Sequence, residues 1–455
     1  MQTIVKIPKE LFDQARSDLL RPHRFAYERV GFFSTRCSTM NGTILVHCIS
    51  YHPVGDDDYI EDRSVGVRIG PNAITEAMSR ALKDSVGQIH VHWHGGTGLS
   101  GPSPTDTREL PPLTKSLRNA FASGAHGWMI LSQDDAWTSL LLPSHTQPLD
   151  ESPVSIVGFP TTVKRRTLRL EDRSRGPLVR WLFRKRKGVD RYDRQSFLGP
   201  DSDRTIQQAV IGVVGLGGGG SHVVQQLAHL GFRNFVLCDH DRISLSNLNR
   251  LVGATRADVT AKRLKVDIAS RTIRKLHKDA HILSHSSKWE DAVDDLSACD
   301  VILGCLDGFG ARRDIEAFCR RHLIPYLDVG MDVQELSPGR YEVYGQVILS
   351  MPGKPCMHCM GFLNDSILGE EAQKYGAAGN KPQVVWSNGL LCSADVGIAV
   401  DLLTDWSKTL RHPVFLSFRG SELSLTSDKR LPALRTACCP HYPLTQAGDP
   451  VLSPL

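Results

Sequence analysis

The sequence predicts an α/β protein in two parts: a mixed α/β domain, then a doubly wound domain built on a parallel sheet. Three observations carry this. The 455 residues exceed what one ordinary core accommodates. Strand-like and helix-like runs alternate through both halves. And the apolar run Ala209-Val210-Ile211-Gly212-Val213-Val214 leads into Gly215-Leu216-Gly217-Gly218-Gly219-Gly220-Ser221-His222, the pattern of a phosphate-cradling turn at the mouth of a βαβ unit.

The elements follow in order. Residues 2–8 read as a first strand and Pro8 to Leu20 as a helix, with strands at Val30 to Phe33 and Thr43 to Ser50. Ile74, Met78, Ala81 and Leu82 recur at helical spacing after a proline start, so Pro71 to Leu82 is a helix. Ile89 to His92 is a short strand, and Trp128 to Ser132 pairs with Trp137 to Leu141 around the turn-prone Gln133-Asp134-Asp135. A basic stretch, 161–190, reads as a linker with one short amphipathic helix around Leu178, Val179, Trp181, Leu182 and Phe183. From about residue 190 onward the alternation implies a parallel sheet with helices on both faces, ending in a tail from about Gln446. The expected boundaries are therefore 1–160, 161–190, 191–446 and 447–455.

Composition narrows the class. Hydrophobic content of 41% and charge of 23% are ordinary for a soluble globular protein, and the net charge of +5 is modest. No run of about 18 apolar residues suggests a membrane span, and the N-terminus lacks the regions of a signal peptide. Eleven cysteines in a chain of this length do not suggest a disulfide scaffold, so a reducing cytoplasm is expected. The basic stretch from Lys164 to Lys187 could contact nucleic acid or an anionic surface, but aromatic interleaving is limited to Trp181 and Phe183, so nucleic acid is not expected as a partner.

In the second half, backbone N–H groups of the glycine turn (Gly215, Gly217, Gly218, Gly220, with Ser221) can reach phosphate oxygens, aided by the helix's positive end. Asp239 or Asp241, after the strand Phe235 to Cys238, can hold ribose hydroxyls. A dehydrogenase would need little beyond this, yet Asn247, Asn249 and Arg250 follow, and Lys262 opens the next helix. Arginine and lysine beside a triphosphate stabilise charge during in-line attack at the α-phosphate, and Asp307, after the strand Val301 to Cys305, is placed to hold Mg2+.

These stretches (Gly215 to Ser221, Asp239 to Arg250, Lys262, and Cys305-Leu306-Asp307-Gly308 ending in Arg312) resemble the ThiF/MoeB/HesA family, relatives of ubiquitin-activating enzymes. Arg191-Tyr192-Asp193-Arg194-Gln195 is similar to that family's N-terminal element. The resemblance implies a Rossmann-like fold and ATP-dependent adenylation of the C-terminal glycine of a ubiquitin-like or sulfur-carrier protein. It also implies a homodimer in which Arg194 acts in trans, and a conjugating enzyme as a candidate partner. Cys356-Met357-His358-Cys359 and Cys438-Cys439-Pro440-His441 resemble the family's structural Zn2+ knot. Because Tyr442 stands where a last thiol would be, Cys438 and His441 both remain open as the final ligand. Cys392 is a weak thioester candidate, since it lies in what looks like a packed helix start.

Near the N-terminus, His92-Trp93-His94 leaves a strand, and Ser103-Pro104-Thr105-Asp106 follows a glycine-rich loop. A bend at Gly95-Gly96 is expected to let both histidines reach one ion with Asp106 as third ligand, leaving a position for water; His90/His92 is the alternative pair. Glu28 suits the general base, and Ser103 can donate to a tetrahedral oxyanion. The set resembles the JAB/JAMM metalloisopeptidases, which implies an MPN-like domain with a catalytic Zn2+ that processes or removes the same modifier. A metal-free module that only recruits the modifier is the alternative.

Overall fold

The computed structural model describes residues 2–40, 43–62, 64–95, 100–133, 135–143, 145–164, 191–373, 382–409 and 413–448. The basic stretch with its amphipathic helix lies almost entirely outside them, as do Gly96, Asp134 and the last residues of the tail. Among the described residues no helix is long and apolar enough to cross a membrane. The chain divides into two compact units, one holding residues 1–157 and the other 190–444 as their main segments.

The first unit is a nine-stranded mixed sheet. Its strands are β1 (Gln2–Pro8), β2 (Val30–Met40), β3 (Thr43–Pro53), β4 (Gly87–Trp93), β5 (His126–Leu131), β6 (Ala136–Leu141), β7 (Leu149–Asp150), β8 (Val154–Val157) and β9 (Thr162–Lys164). They lie in the order β7-β6-β5-β4-β2-β3-β1-β8-β9. Alternation assigns the faces. Phe33, Ile89, Val91 and Met129 turn to a core shared with Leu11, Phe12, Ala15 and Leu19 of the helix Lys9–Leu19. Val30 and Phe32 turn to the other side, with Ala73 and Ala77 of the helix Pro71–Lys83 and Leu117 of the helix Pro104–Ala120. The last of these helices was illegible in the sequence, because Pro111 and Pro112 lie inside it and proline ordinarily breaks a helix interior.

The second unit is an eight-stranded sheet ordered β12-β11-β10-β13-β14-β15-β16-β17. Here β10 is Val210–Val214, β11 Asn234–Cys238, β12 His281–His285, β13 Val301–Gly304, β14 Tyr326–Ser337, β15 Arg340–Ser350, β16 Val414–Arg419 and β17 Ser424–Ser427. The expected parallel sheet holds only as far as β14. Beyond it β14, β15, β16 and β17 pair antiparallel. Pro338 and Gly339, the latter at φ +75, turn the chain tightly enough for a hairpin instead of a helical crossover. The strand order reverses between β11 and β13 on either side of β10, so the loops after these three strands open onto one crevice.

Candidate functional site

That crevice is a cavity of about 660 Å3. Gly215, Gly217 and Gly218 line it from the turn after β10, Asp239 and Asp241 from the loop after β11, and Asp307 from the loop after β13. Gly215 sits at φ +85 with any Cβ only 2.5 Å from the Cys305 carbonyl oxygen, so no other residue fits there. Gly220 and Ser221 do not line the cavity as expected. A Cβ on Gly220 would stand 1.9 Å from the Gly215 carbonyl oxygen, and the Ser221 hydroxyl donates to the Gly218 carbonyl at 2.8 Å. Both shape the turn from behind.

Asp239 accepts from the backbone N–H of Leu216 at 2.6 Å and of Asp241 at 2.8 Å, tying the glycine turn to β11. Burial pushes its carboxyl up, against the pull of nearby Lys265. Asn247 lines the cavity while accepting from the Ser244 N–H at 2.9 Å. Arg250 lines it too, braced by the Ser246 carbonyl at 2.8 Å and the Asn249 side-chain oxygen at 3.0 Å. Asn249 itself turns away and donates to the Gln383 carbonyl at 3.2 Å. Asp307 accepts from the Gln383 side chain at 3.4 Å. Its loop is pinned by the buried Arg312, which donates to Asp328 and to the Leu306 carbonyl.

The expected lysine needs correction. Lys262 is exposed, stands in a left-handed turn at φ +47 and lies outside the cavity lining. The helix opens three residues later, at Lys265. Lys265 lines the cavity, donating to Asp241 at 2.7 Å with Asp239 at 3.9 Å. A legible signal was the apolar spacing of Val266, Ile268, Ala269 and Ile273, which starts just after Lys265. Arg194 is exposed in the short turn Asp193–Leu198, away from this lining. Cys392 is fully buried, and its thiol donates to the Gly219 carbonyl at 3.3 Å. A thiol so enclosed cannot present itself to an incoming acyl group.

Farther along the unit, Cys356, Cys359, Cys439 and His441 bring their ligand atoms within 4.8 Å of one another. The His441 Nδ1 lies 3.4 Å from each of Cys356 and Cys359, and Cys359 lies 3.8 Å from Cys439. Cys438 is exposed and outside the cluster, so His441 is the fourth donor. Adjacent residues on extended chain point opposite ways, and Cys439 takes the inward place. Glu316 and Arg320 hold the first loop. Glu316 accepts from the Met357 N–H at 2.8 Å, and Arg320 donates to the Lys354 and Pro355 carbonyls at 2.7 and 2.9 Å. Three sulfurs and one nitrogen, two of the four buried and two partly so, suit zinc.

The first unit's cluster is different in kind. His90, His92 and His94 lie on one face of β4 and its extension by simple alternation, so no bend is needed to gather them. The Nε2 atoms of His92 and His94 are 3.1 Å apart, and each lies 3.5 Å from the Asp106 carboxylate. Glu28 closes the group at 3.9 Å from His94. The next residue, Arg29, is buried and paired with Asp56 at 2.7 Å. His90 does not join, which removes His90/His92 as a pair. Its ring packs edge-on to Phe32, and burial drives it down to about 3, so it stays neutral. Burial alone would raise the Asp106 carboxyl, yet the His92 and His94 rings and Ser103 hold it well below the usual range. Ser103 is first of all a helix cap: its hydroxyl oxygen accepts from the Asp106 N–H at 3.1 Å, and its own N–H donates to Asp106 at 2.8 Å. Glu28, His92 and His94 bring their ligand atoms within 4.8 Å of one another, with Asp106 against both rings from its own side, and a set of this kind, partly open to solvent, suits a catalytic metal better than a structural one.

A glycine turn, paired acids, a lysine and an arginine at the reversal point of a parallel sheet define a nucleotide-binding α/β protein. The ThiF family model matches residues 192–428, just over half of the 455, and the chain belongs to the ThiF family. It is 28% identical over 169 residues to ubiquitin-like modifier-activating enzyme 5 of Culex quinquefasciatus, covering 34% of this chain and 40% of that protein. It is 27% identical over 227 residues to molybdopterin-synthase adenylyltransferase of Escherichia coli, covering 48% of this chain and 83% of that protein. The chain thus spans only about two-fifths of the length of the Culex relative. Among solved structures, the microcin C7 biosynthetic enzyme MccB in complex with N-formylated MccA superposes with a TM-score of 0.46 at 18% identity, covering 55% of this chain and 74% of that one.

Proposed function

We propose that the second unit uses ATP to adenylate the C-terminal carboxylate of a ubiquitin-like or sulfur-carrier protein, and that the first unit is a JAMM-type zinc hydrolase acting on that same tail. The observation that carries the first half is the convergence of the glycine turn, Arg250, Lys265 and Asp307 on one cavity. The names of the relatives, which include modifier-activating and molybdopterin-synthase-adenylylating enzymes, support it.

In this reading the glycine turn holds the phosphates and the acids after β11 hold the ribose. A tail carboxylate oxygen attacks the α-phosphorus. The bond from that phosphorus to the β-phosphate bridging oxygen breaks, and pyrophosphate leaves with the electron pair. Lys265 and Arg250 offset the charge that builds on the phosphates. Asp307 would hold magnesium, which adds charge neutralisation when bound. Arg194 would reach the cavity of a second copy, making a homodimer the working form. With Cys392 enclosed, the acyl group would pass directly to a partner such as a conjugating enzyme or a sulfur donor.

In the first unit His92, His94 and Asp106 would hold zinc, which supplies Lewis acidity there when bound. Glu28 would take the proton of the attacking water and return it to the leaving amine, with Ser103 steadying the oxyanion from its capping position. Trimming a precursor and adenylating the exposed glycine would then be successive steps of one pathway, placed in the cytoplasm.

The test is incubation with ATP, magnesium and candidate β-grasp proteins, read by labelled pyrophosphate exchange and intact mass. A tail-dependent exchange that survives Lys262→Ala but drops by about 100-fold or more in Lys265→Ala is expected. Exchange with no β-grasp protein tested would sink the adenylating half. Unshortened precursors with zinc-loaded protein would sink the other and leave the first unit as a recruiting module.

A further inference from the structure

Two buried donors that line the nucleotide cavity have no hydrogen-bond partner among the described residues, the Trp289 ring nitrogen and the Asn388 carboxamide, and only the second sits beside the glycine turn. Asn388 stands in the first turn of the helix Val385–Thr404 and is only 6% exposed. Its carboxamide nitrogen is buried and has no hydrogen-bond partner among the described residues. Leaving such a donor unmet is costly, so a native structure that keeps one usually has a ligand or water for it.

Its position says which ligand. Asn388 lines the nucleotide cavity, and its nitrogen lies 2.6 Å from where a Cβ on Gly218 would stand. The Cδ and Cγ of Arg250 lie 3.1 and 3.2 Å from the same point. Gly218, the first residue of the helix Gly218–Leu230, is therefore flanked by a neutral amide donor and by the arm of a guanidinium. Val384, which precedes the helix that carries Asn388, makes no side-chain cap among the described residues, so backbone N–H groups of that first turn are without one there. Two helix starts, an amide and an arginine around one glycine form an environment for anionic oxygen.

We propose that Asn388 is a polyphosphate-binding residue: its carboxamide donates to a non-bridging phosphate oxygen and helps the cavity favour a nucleoside triphosphate over a monophosphate. This rests on the adenylation reading. It adds a contact from a helix far along the chain, which the motifs after β10, β11 and β13 do not contain.

The experiment is calorimetric titration of the full chain with magnesium and either α,β-methylene-ATP or AMP, for the wild type, Asn388→Ala and Asn388→Ser. Asn388→Ala should weaken the triphosphate analogue by about 10- to 100-fold, the range for one hydrogen bond to a charged oxygen, and change AMP by less than about twofold. Asn388→Ser, which keeps a donor, should recover part of the loss. Melting without nucleotide should be the same in all three, which separates binding from folding. Equal loss for both nucleotides would overturn the proposal in favour of a packing role. Unchanged nucleotide binding with a raised KM for the β-grasp protein in pyrophosphate exchange would reassign the amide to the tail carboxylate and equally overturn it. A wild type that binds the analogue while the alanine variant matches it defeats this inference alone. A wild type that binds neither nucleotide defeats the adenylation reading along with it.

Discussion

The two candidate metal clusters are built from opposite materials. In the second unit, three thiols and one imidazole close on one another, two of the four fully or nearly buried, with the first cysteine loop pinned by Glu316 and Arg320. In the first unit, two imidazoles and two carboxylates converge at the end of β4, and His94 and Glu28 keep about a quarter of their surface in solvent. Soft, closed ligation suits an ion that holds loops together. Hard, open ligation suits one that meets substrate. The difference lies in the supporting chain as much as in the ligands. The first cysteine loop has backbone carbonyls bound by a buried guanidinium, whereas the histidines lie on β4 and its extension.

The largest effect should come from breaking the closed cluster. Cys359→Ser is expected to lose the zinc of the second unit and at least about 3–5 kcal/mol of that unit's stability, measured by metal analysis and calorimetric unfolding. Unchanged zinc and melting would mean that these are merely reduced thiols. Next, Glu28→Gln should keep zinc in the first unit yet cut precursor hydrolysis by about 100-fold or more. If cleavage persists, the general base is another group and the contrast between open and closed sites loses its chemical meaning. Asp106→Ala should remove zinc from the first unit while the second unit's melting stays within about 1 kcal/mol, because among the described residues the partners of Asp106 are His92, His94 and Ser103. Loss of both zincs together would refute independent sites.

The smallest effect concerns pH in metal-free protein. Pairing with Asp106 raises His94 above its ordinary value, so its contribution to stability is complete below the unfolded histidine pKa and disappears as pH rises through the higher folded one. Asp106 is depressed, so its contribution is present above the unfolded carboxylate value and is lost only in acid. Between about pH 6 and 8, chelated protein should therefore soften slightly in the first unit as pH rises. Added zinc should reverse that trend, since deprotonated ligands bind it better. A melting curve insensitive to pH in chelator would argue that His94 and Asp106 are not paired in solution.

The nucleotide crevice was the most legible feature. The run before Gly215 and the acids after β11 and β13 are local patterns, and local patterns survive into the fold. Lys262 shows where such reading fails. The expectation that Lys262 opens the next helix picked a lysine outside the cavity lining, because a turn in left-handed backbone separates it from the helix that opens at Lys265. Asn388 carried no signal at all, since nothing in its neighbours says that its helix begins beside Gly218, far away in sequence. Similarly, the choice of His441 over Cys438 depended on which side of the chain faced the first CxxC loop.

The amino-acid order by itself determined two successive α/β units, the glycine turn, the acids that end β11 and β13, and the histidine and cysteine ligand types, because periodicity and motif spacing are properties of contiguous residues. Only the tertiary structure decided the antiparallel half of the second sheet, the unbroken helix through Pro111 and Pro112, which lysine lines the cavity and the unmet amide of Asn388. Those outcomes depend on which distant surfaces pack together, and burial across long sequence separations overrides local preference.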